Sequence, residues 1–221
     1  MIPPKHDGEF VAAMEDVLDL YQQPYDPEAP VVGMDETSKQ LMGEVRRPVP
    51  PAPGRPARVD YEYERKGTAN IFLFTDPLRG WRSTSVTRQR ARRDWAEAVR
   101  TLLDADYPEA RVVRLVMDNL NTHSIGSLYE AFEPEEARRL AVRLEIHHTP
   151  KHGSWLNIAE IELRALSQQC LNRRLPKLAD LRREVAAWNE TRNESSVGVQ
   201  WRFTAPDARI RLRHLYPQID A

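Results

Sequence analysis

A single cysteine, Cys170, stands in the 221 residues. One thiol closes no intrachain disulfide and excludes the multi-thiolate cages that hold structural zinc. Equally absent is any apolar run near the roughly 20 residues that a membrane-spanning helix needs, so a membrane protein is excluded. The opening residues MIPPKHDGEF contain no basic stretch leading into an apolar one, so no secretory leader is visible. Together these absences favour the cytoplasm. An excess of charge of one sign is missing too: 32 Lys and Arg against 33 Asp and Glu leave a net charge of −1. The total therefore advertises no polyanionic partner, and only the local distribution of charge can.

What is present suffices for one domain of ordinary size: 41% apolar residues can fill a core, and 29% charged residues can coat it. Arginine dominates the basic set, in runs such as RQRARR at Arg88–Arg93 and NRR at Asn172–Arg174. Such runs suit a solvated helix face and a nucleic-acid contact equally well.

Apolar spacing predicts a helix over residues 9–23, ended by Pro24, Pro27 and Pro30. VVGMDE reads as a short strand ending in two carboxylates. The stretch from Glu44 to Pro56, rich in proline, reads as a loop. Val59–Arg65 alternates like a half-exposed strand, Ala69–Thr75 is apolar like a central one, and WRSTSVT returns after a turn at Asp76, Pro77 and Gly80. A helix over Arg90–Asp104 follows, then the buried strand RVVRLVMDN ending in Asp118. Short helices over 124–132 and 134–140 lead to the strand VRLEIHHTP. Helices over 156–173, 178–191 and 206–215 complete the chain. The expected fold is therefore α/β: a mixed sheet with three antiparallel meander strands followed by strand–helix units, and helices on both faces. Residues 1–30 form an N-terminal helix and connector, 31–192 the main domain with a 44–58 loop insertion, and 193–221 a tail.

Asp35 and Asp118 each follow an apolar strand, at the edge of an α/β sheet where reacting groups collect. A strand-end Asp alone is often only a turn-former. Two of them on neighbouring strands can hold a hard cation such as Mg²⁺, given a third ligand. That third ligand comes from HGSWLNIAEIELRALSQQCL. On a helix, Leu156, Ala159, Leu163, Leu166 and Cys170 form the buried stripe, with Glu160 and Glu162 on its opposite flanks. Geometry alone does not choose between them. The tryptophans at 81, 95, 155, 188 and 201 read as core, with Trp155, beside this helix, the one exception.

The segments VVGMDE, LVMDNLNTH, HHTPKHGSWLNIAEIE and WRFTAPDARIRLRHLYP resemble the catalytic half of transposases of the IS630/Tc1/mariner superfamily, and of its IS630 branch in particular. The resemblance runs from about Ile2 to Pro217. Its most specific pieces are Asp-Asn-x-x-x-His at 118–123 and Leu-Asn-x-x-Glu at 156–160. It implies an RNase H-like fold with a DDE triad of Asp35, Asp118 and Glu160. Relatives often read Leu-Asn-Pro-Ile-Glu where this chain has Leu156-Asn157-Ile158-Ala159-Glu160; the register is kept, which favours Glu160 over Glu162.

The same resemblance implies two Mg²⁺ ions, with Mn²⁺ as substitute, held by the three carboxylates and serving DNA strand cleavage and strand transfer. The partners it implies are double-stranded DNA, both transposon ends and target, and a second copy of the chain in the DNA complex. Asn119 and His123 accompany Asp118 and could orient it or touch a phosphate. His147, His148 and His152 fit no standard zinc spacing. Lys151, Arg164 and Arg173 stand near the predicted active-site helix as phosphate contacts or plain surface cations, and the 44–58 loop, placed where mariner-type relatives carry a clamp to the partner subunit, reads as such a clamp or as an ordinary surface loop. Full-length relatives also carry an N-terminal helix-turn-helix region, and nothing in the residues before Asp35 resembles one. A truncated, catalytically idle remnant that binds DNA or full-length transposase is thus the alternative, and another RNase H-like nuclease a third reading.

Overall fold

The computed structural model describes residues 7–58 and 60–218. Val59, the start of the resemblance at Ile2 and the last three residues lie outside that set. The sheet is built on Ile71-Phe72-Leu73-Phe74, whose side chains are buried on both faces, as a central strand requires. Strand β2 (Tyr63–Asp76) carries this run between β1 (Val31–Glu44) and β3 (Trp81–Thr87), antiparallel to both. On its other side β1 pairs in parallel with β4 (Val113–Met117), which pairs in parallel with β5 (Leu144–His148). The strand order is β3-β2-β1-β4-β5, the mixed sheet that the sequence implies.

Helices α1 (Gly8–Tyr21), α2 (Arg92–Thr101), α3 (Ile125–Ala131), α4 (Pro134–Ala141), α5 (Ala159–Leu166), α6 (Leu178–Glu194) and α7 (Ala205–Arg211) cover both faces. Period-two alternation in β1 sends Val32 and Met34 into a core shared with α2, α3 and α4. On the opposite face α1 and α7 pack with Val31 and Val116, and α5 and α6 pack with Ile71 and Leu73. The terminal helices are also joined by Arg209, which chelates Glu15 at 2.9 and 2.7 Å. Trp95 and Trp188 are buried, Trp81 and Trp201 partly so, and Trp155 is exposed and lies edge-on to Phe203. Among the described residues no helix is long and apolar enough to cross a membrane.

Several boundaries differ from the expectation. The predicted strands 59–65 and 69–75 are one strand over their described residues from Tyr63. Gly67, at φ +107°, marks a bulge opposite Leu41 and Met42, where the register shifts, and no turn forms. Asp35 lies inside β1, which runs on to Glu44, because β2 supplies partners from Gly33 to Glu44. The 44–58 loop folds back on itself through bridges Val49–Arg58 and Ala52–Arg55. The helix predicted over 156–173 divides into a tight turn at Ser154–Leu156, α5, and a wide-pitched turn at Ser167–Leu171. The helix predicted over 90–104 likewise starts at Arg92 and widens at Leu102–Asp106.

One contact positions the site. A Cβ on Gly33 would lie 2.7 Å from Ile158 Cγ2 and 3.3 Å from the Ala159 amide nitrogen. Glycine therefore lets the start of α5 rest directly on β1. Asn157 fastens that approach: its amide donates to the Met34 carbonyl at 2.9 Å, and its oxygen accepts from the Ala159 N–H at 3.1 Å. The Tyr21 hydroxyl closes the joint, donating to the Leu156 carbonyl at 2.9 Å and accepting from the Ile158 N–H at 3.2 Å.

Candidate active site

Parallel pairing aligns Val31 with Arg114, Val32 with Leu115 and Gly33 with Val116. Carried two residues further, the same register sets Asp118 level with Asp35. Strand β4 ends at Met117, so Asp118 stands at the carboxyl edge of the sheet, where crevices open in α/β folds. Burial pushes the Asp35 carboxyl up to about 7; the Glu36 N–H on its Oδ1 (2.8 Å) opposes this, and the negative charges of Asp118, Glu36 and Glu160 add to it. The negative charges of Asp118 and Glu160 thus reach the Asp35 carboxyl.

Glu160 and Glu162 part company here. Glu160, in the first turn of α5, is exposed, and among the described residues its carboxylate has no hydrogen bond or ion pair. Glu162 is as buried as the apolar stripe. It receives two hydrogen bonds from Arg192, at 2.9 and 3.0 Å, and faces the buried Arg82 guanidinium at 3.2 Å. Arg82 in turn donates to the carbonyls of Gly80, Arg192 and Val197. Glu162 therefore ties β3 to the end of α6, and Glu160 is left facing the other acids.

Sequence reasoning missed Glu36. Alternation turns it to the opposite face from Asp35, where it is buried against His123: imidazole Nε2 lies 2.9 Å from Glu36 Oε2, an ion-pair contact without hydrogen-bond alignment. Imidazole Nδ1 hydrogen-bonds Asp118 Oδ1 at 2.9 Å. Burial works against the charged imidazole, but the carboxylates of Asp118 and Glu36 outweigh it and push His123 up to about 9. Glu36, Asp118 and His123 bring donor atoms within 4.8 Å of one another, a cluster of a size that holds a metal ion. Arg90 already occupies Glu36 Oε1 at 2.9 Å. The only available signal for this role was the Asp-Glu pair itself.

Asn119 and Lys151 share an open groove of about 550 Å³ with Phe10, His148 and His152. His148 faces the Asp118 carbonyl at 3.3 Å, and His147 sits between Asp16 and Glu145 at 2.7 and 3.0 Å. Lys151 is exposed and Arg164, on α5, is also exposed; among the described residues neither side chain is paired. Arg173, by contrast, is occupied by Glu184 and the Cys170 carbonyl, which leaves it least able of the three to meet a phosphate.

A mixed five-stranded sheet flanked by helices, with acids gathered at the edge where its parallel strands end, is an RNase H-like core. The family model described as DDE superfamily endonuclease matches residues 30–182, and the chain belongs to that family. Its structure resembles the Mos1 transposase paired-end complex with left transposon end (TM-score 0.56, 13% identity, 89% of this chain and 64% of that one). It also resembles the Mos1 strand transfer complex (TM-score 0.59, 14%, 89% and 59%) and the mariner Mos1 paired-end complex with Mg (0.56, 14%, 99% and 66%). At these identities the likeness is one of fold. The chain spans less than two thirds of the length of the first two. No curated protein matches it.

The two glutamates differ in what their loss costs. Glu162→Gln strands the buried Arg82 charge and should lower unfolding stability by ~3–5 kcal/mol, while Glu160→Gln should stay within ~0.5 kcal/mol of wild type. Urea denaturation of both variants checks this, and equal losses would contradict it.

Asp35 carries a pH signature. Its folded pKa of about 7 lies above the ordinary 3.8, so between those values the unfolded chain binds fewer protons, and this group's contribution to stability falls as pH rises through the window. Without divalent metal, Asp35→Asn should therefore raise stability by ~1–4 kcal/mol at pH 8 and by almost nothing below pH 4. A gain independent of pH would contradict the assignment.

Proposed function

We propose that this chain is the catalytic domain of a transposase that cleaves DNA at the ends of an insertion element and joins the freed ends to target DNA. The convergence of Asp35, Asp118 and Glu160, from two strands and a helix far apart in sequence, carries this reading. The paired-end and strand-transfer complexes of the Mos1 relatives support both halves of the reaction.

The donor set suits hard divalent cations: three carboxylate side chains, one of them made reluctant to ionise by burial and by the charges of the other two. Asp35, Asp118 and Glu160 would together hold the two ions. Bound there, Mg²⁺ or Mn²⁺ would supply an acidified water and charge stabilisation at the leaving 3′ oxygen. The protein's own part is to hold the scissile phosphate against the carboxyl edge of the sheet, with Lys151 and Arg164 as phosphate contacts. Hydrolysis leaves a 3′-OH, and the same site aligns that hydroxyl on a target phosphate, so no side-chain nucleophile is needed. Two copies act on paired ends, and the folded-back 44–58 segment reaches the partner subunit as a clamp.

Incubation with supercoiled plasmid and Mn²⁺ tests the reading. Wild type should nick the plasmid in a metal-dependent manner, and Asp118→Ala should lose ~10³-fold or more of that activity. Equal nicking by both proteins would overturn it.

A further inference from the structure

Three contacts in series run from the surface to Asp118. Arg90 Nη1 lies 2.9 Å from Glu36 Oε1, Glu36 Oε2 lies 2.9 Å from His123 Nε2, and His123 Nδ1 lies 2.9 Å from Asp118 Oδ1. The middle of the series is sealed: the side chains of Glu36 and His123 are 3% and 0% exposed, while that of Asp118 is 39% exposed. The His123 ring stacks on the buried Trp95 indole, with centroids 6.0 Å apart and planes at 23°. Its backbone N–H is held by the Leu120 carbonyl at 2.9 Å. The imidazole thus has little freedom to turn away.

Stability alone does not account for this arrangement. A buried ionic cluster is commonly no better than apolar side chains of similar volume, because desolvation consumes most of the Coulombic gain. What the series does achieve is geometric. Asp118 Oδ1 is pinned from the protein side by His123, while the carboxylate as a whole stays open to solvent. Glu36 is itself fixed by its place in the middle of β1 and by Arg90 on its other oxygen.

We propose that Glu36 and His123 are a positioning pair that sets the orientation of the Asp118 carboxylate, with Arg90 as its surface anchor. This rests on the reading of Asp118 as a metal ligand. Outer partners of metal ligands raise metal affinity by fixing ligand geometry, typically by 10–100-fold.

The test is direct binding of Mn²⁺ to the protein, followed by the electron paramagnetic resonance signal of the free ion, alongside plasmid nicking. Glu36→Gln keeps size and removes the charge; His123→Asn keeps a donor near Asp118 but breaks the link to Glu36. Both should weaken Mn²⁺ binding by ~10–100-fold, while nicking at saturating Mn²⁺ recovers most of its rate. Arg90→Ala, on the surface, should weaken binding by ~3-fold or more and carries the test even if both buried variants fail to fold. Mn²⁺ affinities within twofold of wild type in every folded variant, with wild type binding and nicking normally, would overturn the positioning pair and leave the proposed function standing. A wild type that neither binds Mn²⁺ nor nicks would overturn both.

Discussion

The close approach of α5 to β1 across Gly33 is the constraint on which the rest of the site depends. Side chains on both surfaces would hold a helix about 10 Å from a sheet; here hydrogen at Cα lets Ile158 and the Ala159 amide settle on the strand. Asn157 then bonds to β1 at Met34, one residue before Asp35, and to the Ala159 N–H that opens α5, whose first turn carries Glu160. A single side chain thus relates the strand that bears one acid to the helix that bears another. Asp118 needs no such joint, because the parallel register of β1 and β4 already sets it beside Asp35.

The acidic site is tolerable because charge is handled differently on its two sides. Behind it, Glu162 is neutralised by Arg82 and Arg192 in a buried network that ties β3, α5 and α6 together. On the far face of β1, Glu36 and Asp118 share His123. Between these compensated groups Asp35 is partly buried with acids as neighbours, and its carboxyl is pushed far above its ordinary range. A near-zero net charge for the whole chain conceals this local segregation.

Much of this was legible in sequence where a short segment carries its own context. VVGMDE and RVVRLVMDN each place an acid at the end of an apolar run, and Leu-Asn-x-x-Glu sets an asparagine three positions before an acid. The rest depended on partners remote in the chain. Lys66-Gly67 looked like a boundary between strands because a bulge and a turn ask for the same residue. Glu162 could not be told from Glu160 by helical angle, since the distinction lies in Arg82 and Arg192. Glu36 passed unnoticed beside Asp35 because alternation turns it to the face where His123 and Arg90 meet it. Arg173 looked free until Glu184 was placed beside it.

The central claim is that Asp35, Asp118 and Glu160 form one divalent-cation site on an RNase H-like core. Crystals of the chain in Mn²⁺, with anomalous diffraction measured at the manganese edge, test it most directly. The account predicts anomalous density in contact with the carboxylates of Asp35 and Asp118, and a second peak toward Glu160 when DNA is present. Manganese seated elsewhere, with these three carboxylates bare, would contradict it.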